Sequence, residues 1–376
     1  GAVSLSQCVI QALRGLYEKK IGGDILVFLP SQAAINRCIA DAKILLNTDP
    51  SILLLPLYGS LSLAQQEQAL QPDAHGRRRI IFATNIAETS LTIDGITCVV
   101  DSGLEKVLVY DAASSMTRLE TISISKSSAE QRKGRAGRTQ PGYCVRLWNK
   151  QKQGTLRDYQ DEEIKSSDLS GMVLELAIWG NGNFDEINWL TPPPKTHYRS
   201  AQATLSALGL LDSDSHVTDL GIKAARIGLS PRLATMLIKA ESHTEKNIAV
   251  ELAALLADRD IFHQQQGVDI LDRLLALQEY KTNRRKAREN YPIKPSSVEA
   301  LLKNANSLRR AIKIKPVSTV FTLVQLQSAV AKLLLYSFPD RLAKKRPGHD
   351  SKYQLANGKG VVLNNSDSLF GSQWLL

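Results

Sequence analysis

At 376 residues the chain exceeds what one hydrophobic core serves, and two to four domains are expected. A composition of 43% hydrophobic and 22% charged residues, with no apolar run near the roughly 20 residues of a membrane span and no secretory leader, fits a globular cytoplasmic protein rather than a membrane-spanning one. Lys and Arg number 47 against 37 Asp and Glu, a net charge of +10, which points toward a polyanionic partner without establishing one.

The chain opens with Gly1-Ala2-Val3 and no Met, which leads to the expectation of an upstream natural start, and residues 1–20 read as a linker helix. Between residues 21 and 158, short apolar runs at 25–29, 52–57, 80–83, 98–100 and 143–148 alternate with helix signals. Ser31 stands ahead of Ala34, Ile35, Cys38 and Ile39, and Ser62 ahead of Ala64, Gln65, Gln68 and Ala69. Continuous apolar runs separated by such stretches are the pattern of buried parallel strands with crossover helices, so a three-layer α/β lobe is predicted. Inside it, residues 106–110 and 118–124 alternate around Asp111-Ala112-Ala113-Ser114-Ser115, which predicts a β-hairpin.

Over residues 159–230, Ser167 or Asp168 can cap a helix carrying Leu169, Met172, Val173, Leu176 and Ala177 and closed by Gly180. Thr191-Pro192-Pro193-Pro194 starts a second helix bearing Ala201, Leu205 and Leu208, and Thr218 opens a third after the polar stretch 212–216. Three short helices with a small wing predict a winged-helix domain. Residues 231–335 keep helical spacing, as in Ile248, Leu252, Leu255 and Leu256, and predict a bundle. From 336 to 376 the pattern returns to strands, with Tyr353-Gln354-Leu355, an Asn357-Gly358 turn and Val361-Val362-Leu363 as a hairpin that begins a small barrel.

Cys8, Cys38, Cys98 and Cys144 show no paired spacing, which argues against zinc and against disulfides and for a reducing cytoplasm. The six histidines are dispersed, and no metal role is assigned to any residue. Basic residues cluster at 77–79, 284–288, 309–315 and 341–346, beside different periodic segments, as a polyanion track assembled from several domains would require.

The most specific segment is Gln131-Arg132-Lys133-Gly134-Arg135-Ala136-Gly137-Arg138. Arg135 and Arg138 are three apart, a spacing that puts both guanidiniums on one face if the helix continues through them. Small Ala136 and Gly137 would admit a phosphate, and such an arginine pair suits developing phosphoryl charge. The alternative is a solvated basic helix, which two glycines would weaken for no gain.

This segment resembles motif VI of superfamily 2 helicases of the DEAH/RHA group, and Ala83-Thr84-Asn85-Ile86-Ala87-Glu88-Thr89-Ser90-Leu91-Thr92-Ile93 is similar to their motif V. Ile25-Leu26-Val27-Phe28-Leu29-Pro30 looks like motif IV, and Pro56-Leu57-Tyr58-Gly59 like the segment after it. Trp189 to Pro194 with Leu208-Gly209-Leu210 resembles the group's winged helix, and Leu229-Ser230-Pro231-Arg232-Leu233 its junction with a ratchet bundle. The end of the chain, with Phe338-Pro339-Asp340-Arg341, looks most like the bacterial HrpB branch. The resemblance covers nearly the whole chain. It implies an α/β plus mainly α fold: a second RecA-like lobe with a parallel sheet (21–158), a winged helix (159–230), a helical ratchet bundle (231–335) and a partial OB-like β segment (336–376).

By position, the resemblance implies that Gln131, Arg135 and Arg138 face the ATP phosphates as catalytic residues, with Gln131 near the attacking water. It puts Thr89 and Asp94 close to the nucleotide, and Thr84 and Asn85 on the nucleic-acid backbone, contacts that position without reading sequence. Leu104 stands where the group often has a base-stacking aromatic residue, and Lys133 where Ala is frequent. Neither GxxxxGK[ST] nor Asp-Glu-Ala-His occurs in the sequence. The ATP cradle and the Mg ligands are therefore expected on a first RecA-like lobe that acts as partner, and the chain alone is expected to be inactive as an ATPase. The implied activity is ATP-dependent translocation on single-stranded nucleic acid, RNA ahead of DNA with DNA left open, and with no membrane involved. The rival is a non-catalytic nucleic-acid-binding scaffold, against which the complete Gln131, Arg135 and Arg138 set speaks.

Overall fold

The computed structural model of the chain describes residues 4–45, 49–88, 91–138, 141–263, 267–317 and 320–376. The chain forms two compact units: Gly1–Val109 with Thr117–Ser167, and Tyr110–Met116 with Asp168–Leu376.

In the first unit, helix α1 (Leu5–Glu18) starts at a capping box between Ser4 and Gln7. Its Val9, Leu13 and Leu16 fall on one stripe and share a core with Ile25, Val27, Cys98 and Val100. The expectation of a linker over residues 1–20 is therefore corrected: an i, i+4, i+7 apolar stripe has to be buried, and here the lobe buries it. There follow β1 (Asp24–Phe28), α2 (Gln32–Leu45), β2 (Ile52–Leu57), α3 (Leu63–Leu70), β3 (Arg78–Ala83), β4 (Ile96–Asp101), β5 (Leu104–Asp111), β6 (Met116–Ser123), α4 (Lys126–Lys133), β7 (Tyr143–Arg146) and α5 (Lys150–Thr155).

The main sheet has the order β2-β3-β1-β4-β7, and every pairing in it is parallel. Helices and loops cover both faces. One face carries the α1 and α2 core, and the other packs Leu26, Phe28, Ile81, Ala83 and Val99 against Ala69, Ala87 and Ile93. This is the RecA-like parallel-sheet lobe. β5 and β6 form the expected hairpin.

Arg77, Arg78 and Arg79 depart from the expected polyanion track. Arg77 pairs with Asp73 at 2.9 Å, and Arg78 donates to the main-chain carbonyls of Gly23 and Ile21. Arg79, only 1% exposed, clasps Asp24 at 2.7 Å. A run of arginines entering an interior strand places alternate side chains inward, and each guanidinium there requires acceptors.

In the second unit, α6 (Ser170–Ile178), α7 (Lys195–Leu208) and α8 (Asp219–Ala225) accompany one antiparallel bridge, Leu211 to Val217. α6 begins at Ser170, whose N–H donates to Asp168, so Leu169 precedes the helix. α7 ends at Gly209 with φ +79°, a left-handed cap suited to glycine. The bundle comprises α9 (Pro231–Lys239), α10 (His243–Ala257), α11 (Ile270–Thr282), α12 (Arg284–Asn290), α13 (Pro295–Ala311) and α14 (Leu323–Ser337). A sheet of order β10-β9-β8-β11 follows, made of β8 (Ala343–Lys345), β9 (Lys352–Leu355), β10 (Gly360–Val362) and β11 (Trp374–Leu375).

The tip of the β5–β6 hairpin belongs to this unit: Asp111 accepts from Lys359 at 2.5 Å, Ser114 O from Asn357, and Ser115 O from Arg341. Arg284, Arg285, Lys286 and Arg288 are exposed on α12, whereas Arg309 is buried against Glu251 at 2.7 Å. Among the described residues no helix is long and apolar enough to cross a membrane.

Candidate functional site

The site is built from two segments of the lobe. The first, residues 84–95, leaves the carboxyl end of β3 and reaches the amino end of β4. The second runs from α4 through residues 134–142 to the amino end of β7. Because the strands are parallel, both segments travel from the carboxyl edge of the sheet toward its amino edge. Ligands of open α/β sheets gather outside the carboxyl edge, near where the strand order reverses.

Arg132 stands at that reversal. Its side chain is 1% exposed, beside Glu88 at 8% and Asp101 at 0%. Nε meets Glu88 Oε2 at 2.9 Å and Nη1 meets Asp101 Oδ1 at 3.0 Å. Nη1 also donates to Leu104 O at 3.2 Å, and the guanidinium lies 4.9 Å from the Phe28 ring centroid. One side chain thus joins the ends of β3, β1 and β4. Burial raises the Asp101 pKa and the neighbouring Arg132 charge opposes the rise. Asp101 Oδ2 is buried without a hydrogen-bond partner.

Helix α4 presents Arg132 because its N-cap Ser125 accepts from Ser128 N–H and its inward face is Ser128, Ala129 and Arg132. Ser128 Oγ donates to Glu88 Oε1 at 2.5 Å. The helix ends at Gly134, and Gly137 takes φ +85°. The expectation that a helical turn carries Arg135 and Arg138 on one face is therefore overturned: the two glycines that admit a close approach also stop the helix.

Arg135 turns inward and is buried. Its Nε donates to Glu88 O at 2.7 Å and its Nη1 to Leu91 O at 2.6 Å. Nη2 also reaches Glu88 O. Burial lowers its pKa, with the Arg138 charge adding to the effect. The turn lies close over Gly142, where a Cβ would stand 2.5 Å from Gly137 N.

The remaining expected residues face outward. Gln131, Arg138 and Asn85 are exposed and Thr84 is half-buried; none of these four side chains has a hydrogen-bond or ion partner among the described residues. Thr84 precedes a short 3-10 turn, Asn85–Ala87, and makes no side-chain cap bond to it. Asp94 is exposed at the amino end of β4, and its main-chain carbonyl accepts from Arg79. It therefore lies at the opposite edge of the sheet from Arg132. Thr89 lies outside the described residues.

The outward polar groups suit an anion: Arg138 offers a guanidinium with no carboxylate against it. A magnesium ion does not fit the same place, because Glu88 and Asp101 are both taken by Arg132. The one grouping with ligand spacing among the described residues is Asp212, Asp214 and His216, exposed in the second unit. There Asp212 accepts main-chain N–H bonds from Asp214 and His216 and so holds a turn. Sequence reasoning missed Glu88 and Arg132. The available signal was the i, i+4 pair Ser128 and Arg132 flanking Ala129 on a helix with almost no apolar residues.

The parallel lobe and its paired edge segments define a helicase lobe, and residues 7–140 match the family model described as "Helicase conserved C-terminal domain". Within that class the chain belongs to the DEAH/RHA helicases and is of the HrpB type. It is 35% identical over 355 residues to the ATP-dependent RNA helicase HrpB of Escherichia coli (strain K12), covering 94% of this chain and 40% of that protein. It is also 35% identical over 254 residues to the probable ATP-dependent RNA helicase DHX34 of Mus musculus, covering 68% of this chain and 22% of that one. The crystal structure of the Escherichia coli DEAH/RHA helicase HrpB superposes with a TM-score of 0.83 at 33% identity, over 99% of this chain and 43% of that chain. The chain therefore spans about two fifths of the HrpB length.

Proposed function

We propose that this chain is the second motor lobe and accessory region of an ATP-dependent helicase that translocates on single-stranded RNA. The observation that carries the reading is the contrast within residues 84–138. Glu88, Arg132 and Arg135 are fastened into the lobe, while exposed Asn85, Gln131 and Arg138 and half-buried Thr84 have side chains with no partner among the described residues. Polar groups held on fixed backbone and left unsatisfied are suited to an external ligand.

In this reading Thr84 and Asn85 hold the sugar-phosphate backbone, which gives affinity independent of base sequence. Arg138 faces the phosphates as the arginine that stabilises developing charge, Gln131 orients the attacking water, and Arg135 keeps the turn that carries Arg138 in place. Thr89 and Asp94 are read as nucleotide contacts, although Asp94 is exposed at the amino end of β4. ATP, when bound, supplies the phosphoanhydride whose cleavage drives movement. A first RecA-like lobe, as partner, holds the phosphates from the other side and provides the magnesium ligands that this chain lacks. Residues 159–230 act as a winged helix, 231–335 as a ratchet bundle and 336–376 as part of an OB-like segment, together lining a basic path for RNA. RNA is favoured over DNA because the relatives are named as RNA helicases.

The test is ATP hydrolysis by the protein that carries this chain together with its ATP-cradling lobe, with and without single-stranded RNA or DNA. Hydrolysis stimulated by single-stranded RNA is expected, and this chain alone is expected to hydrolyse none. RNA binding with no hydrolysis under any condition would favour a scaffold instead.

A further inference from the structure

We infer that Glu88 is a positioning residue that fastens the proposed RNA-contacting turn to the proposed nucleotide-contacting turn, so that Arg132, Glu88 and Arg135 set RNA affinity without touching RNA. The inference rests on the function proposed above and assigns a role to a residue that the reading leaves unused.

Glu88 is held in two ways. Its carboxylate takes Ser128 Oγ at 2.5 Å on one oxygen and Arg132 Nε at 2.9 Å on the other. Its main-chain carbonyl takes Arg135 Nε at 2.7 Å. Every one of these donors comes from the segment that carries Gln131 and Arg138. In turn, the backbone of Glu88 closes the 3-10 turn behind Thr84 and Asn85, with Glu88 N–H donating to Asn85 O at 2.9 Å and Ala87 N–H to Thr84 O at 3.2 Å. Displacement at Arg132 therefore reaches Thr84 through two hydrogen-bonded steps. Asp101 anchors the other end of the Arg132 guanidinium at 3.0 Å, on β4.

A purely structural ion pair could sit anywhere in the core. This one lies between the segment that carries Thr84 and Asn85 and the segment that carries Gln131 and Arg138, whose side chains have no hydrogen-bond or ion partner among the described residues. Arg132 and Glu88 are 1% and 8% exposed, too enclosed to meet a ligand themselves. Hydrogen bonds to charged groups are directional and short, so they transmit displacement better than apolar packing does.

The test uses this chain with Glu88→Gln, which keeps size and an acceptor oxygen but loses the charge, alongside Arg132→Lys, which keeps the charge but loses the planar fork. Two readouts are taken: amide hydrogen exchange, and fluorescence anisotropy with a labelled single-stranded oligouridylate. Glu88→Gln is expected to raise exchange across 84–88 and 91–94 about tenfold or more while β1 and β4 keep their protection. It is also expected to weaken oligouridylate binding by a similar factor, and Arg132→Lys should fall between it and the parent. Unchanged exchange in 84–94 and unchanged affinity, in a variant whose parent binds, would overturn the inference alone. Exchange rising equally in β1 and β4 would reduce the pair to general stability and overturn it as well. Failure of the parent chain to bind oligouridylate would instead overturn the function on which the inference rests.

Discussion

Arg132 and Glu88 meet at 2.9 Å inside the lobe, and the arginine carries a second carboxylate, Asp101, at 3.0 Å. Removing the cation leaves two buried carboxylates facing each other without compensation. Arg132→Ala is accordingly expected to destabilise the first unit by about 3–5 kcal/mol, the cost of breaking a buried pair from one side. Denaturant unfolding followed through Trp148 fluorescence, with the other tryptophans replaced, measures it. A loss under about 1 kcal/mol would mean that water or a rearranged partner satisfies both carboxylates.

Arg135 and Arg138 separate by role. Arg138 is exposed and has no ion or hydrogen-bond partner among the described residues, so Arg138→Ala in the complete motor should lower ATP turnover by a factor on the order of 10³ without shifting the melting temperature. Arg135→Ala should lower both, because its guanidinium holds the carbonyls of Glu88 and Leu91. Equal melting temperatures for the two variants would contradict the separation.

Gly142 lies under the same turn. A methyl group there would stand 2.5 Å from Gly137 N and 2.8 Å from Ala136 C, contacts with backbone that cannot swing aside. Gly142→Ala is expected to cost about 1–3 kcal/mol and to reduce turnover through displacement of Arg138. Full activity at parental stability would show that the turn yields freely.

The alkaline limb of stability has a defined sign. Burial pushes the Cys98 thiol up to about 12, and burial, followed by the Asp101 charge, pushes Cys144 up to about 11. Unfolded thiols titrate near about 8.5, so the folded lobe holds these protons more tightly. Their contribution is complete below about pH 8.5 and is lost as pH rises through 11 to 12, at up to about 1.4 kcal/mol per pH unit for each thiol. Thermal melts from pH 7 to 11 should decline above about pH 9, and Cys98→Val should flatten that decline. An identical decline in the variant would assign it to other groups.

Much of the lobe was legible in the sequence because apolar runs that cannot face water on either side have one economical arrangement, a covered parallel sheet. All five strands fall where those runs lie, and Ser62 and Thr218 cap helices as their side chains suggest. Of the expected site residues, Gln131, Arg138, Thr84 and Asn85 are polar residues whose side chains have no partner among the described residues, whereas Arg135 is buried. What escaped notice is what the fold does consume. Arg79 and Arg309 read as parts of a polyanion track, Arg135 as a phosphate-facing residue and Arg132 carries no expected role, yet each is buried by acceptors far away in sequence, Asp24, Glu251 with Asn247, main-chain carbonyls, and Glu88 with Asp101. Spacing reports periodicity, whereas the partner of a buried charge is fixed only by tertiary contact. The helix expected to run through Arg135 and Arg138 stops at Gly134 instead, because a spacing of three between arginines does not outweigh the two glycines that interrupt it.

The most direct measurement is anisotropy of a labelled single-stranded RNA titrated with this chain at rising salt. The account predicts binding that weakens steeply as salt rises, because phosphate contacts release counterions, that depends little on base sequence, and that Thr84→Ala with Asn85→Ala together weaken further. Affinity independent of salt, preference for blunt duplex, or indifference to the Thr84 and Asn85 changes would contradict it.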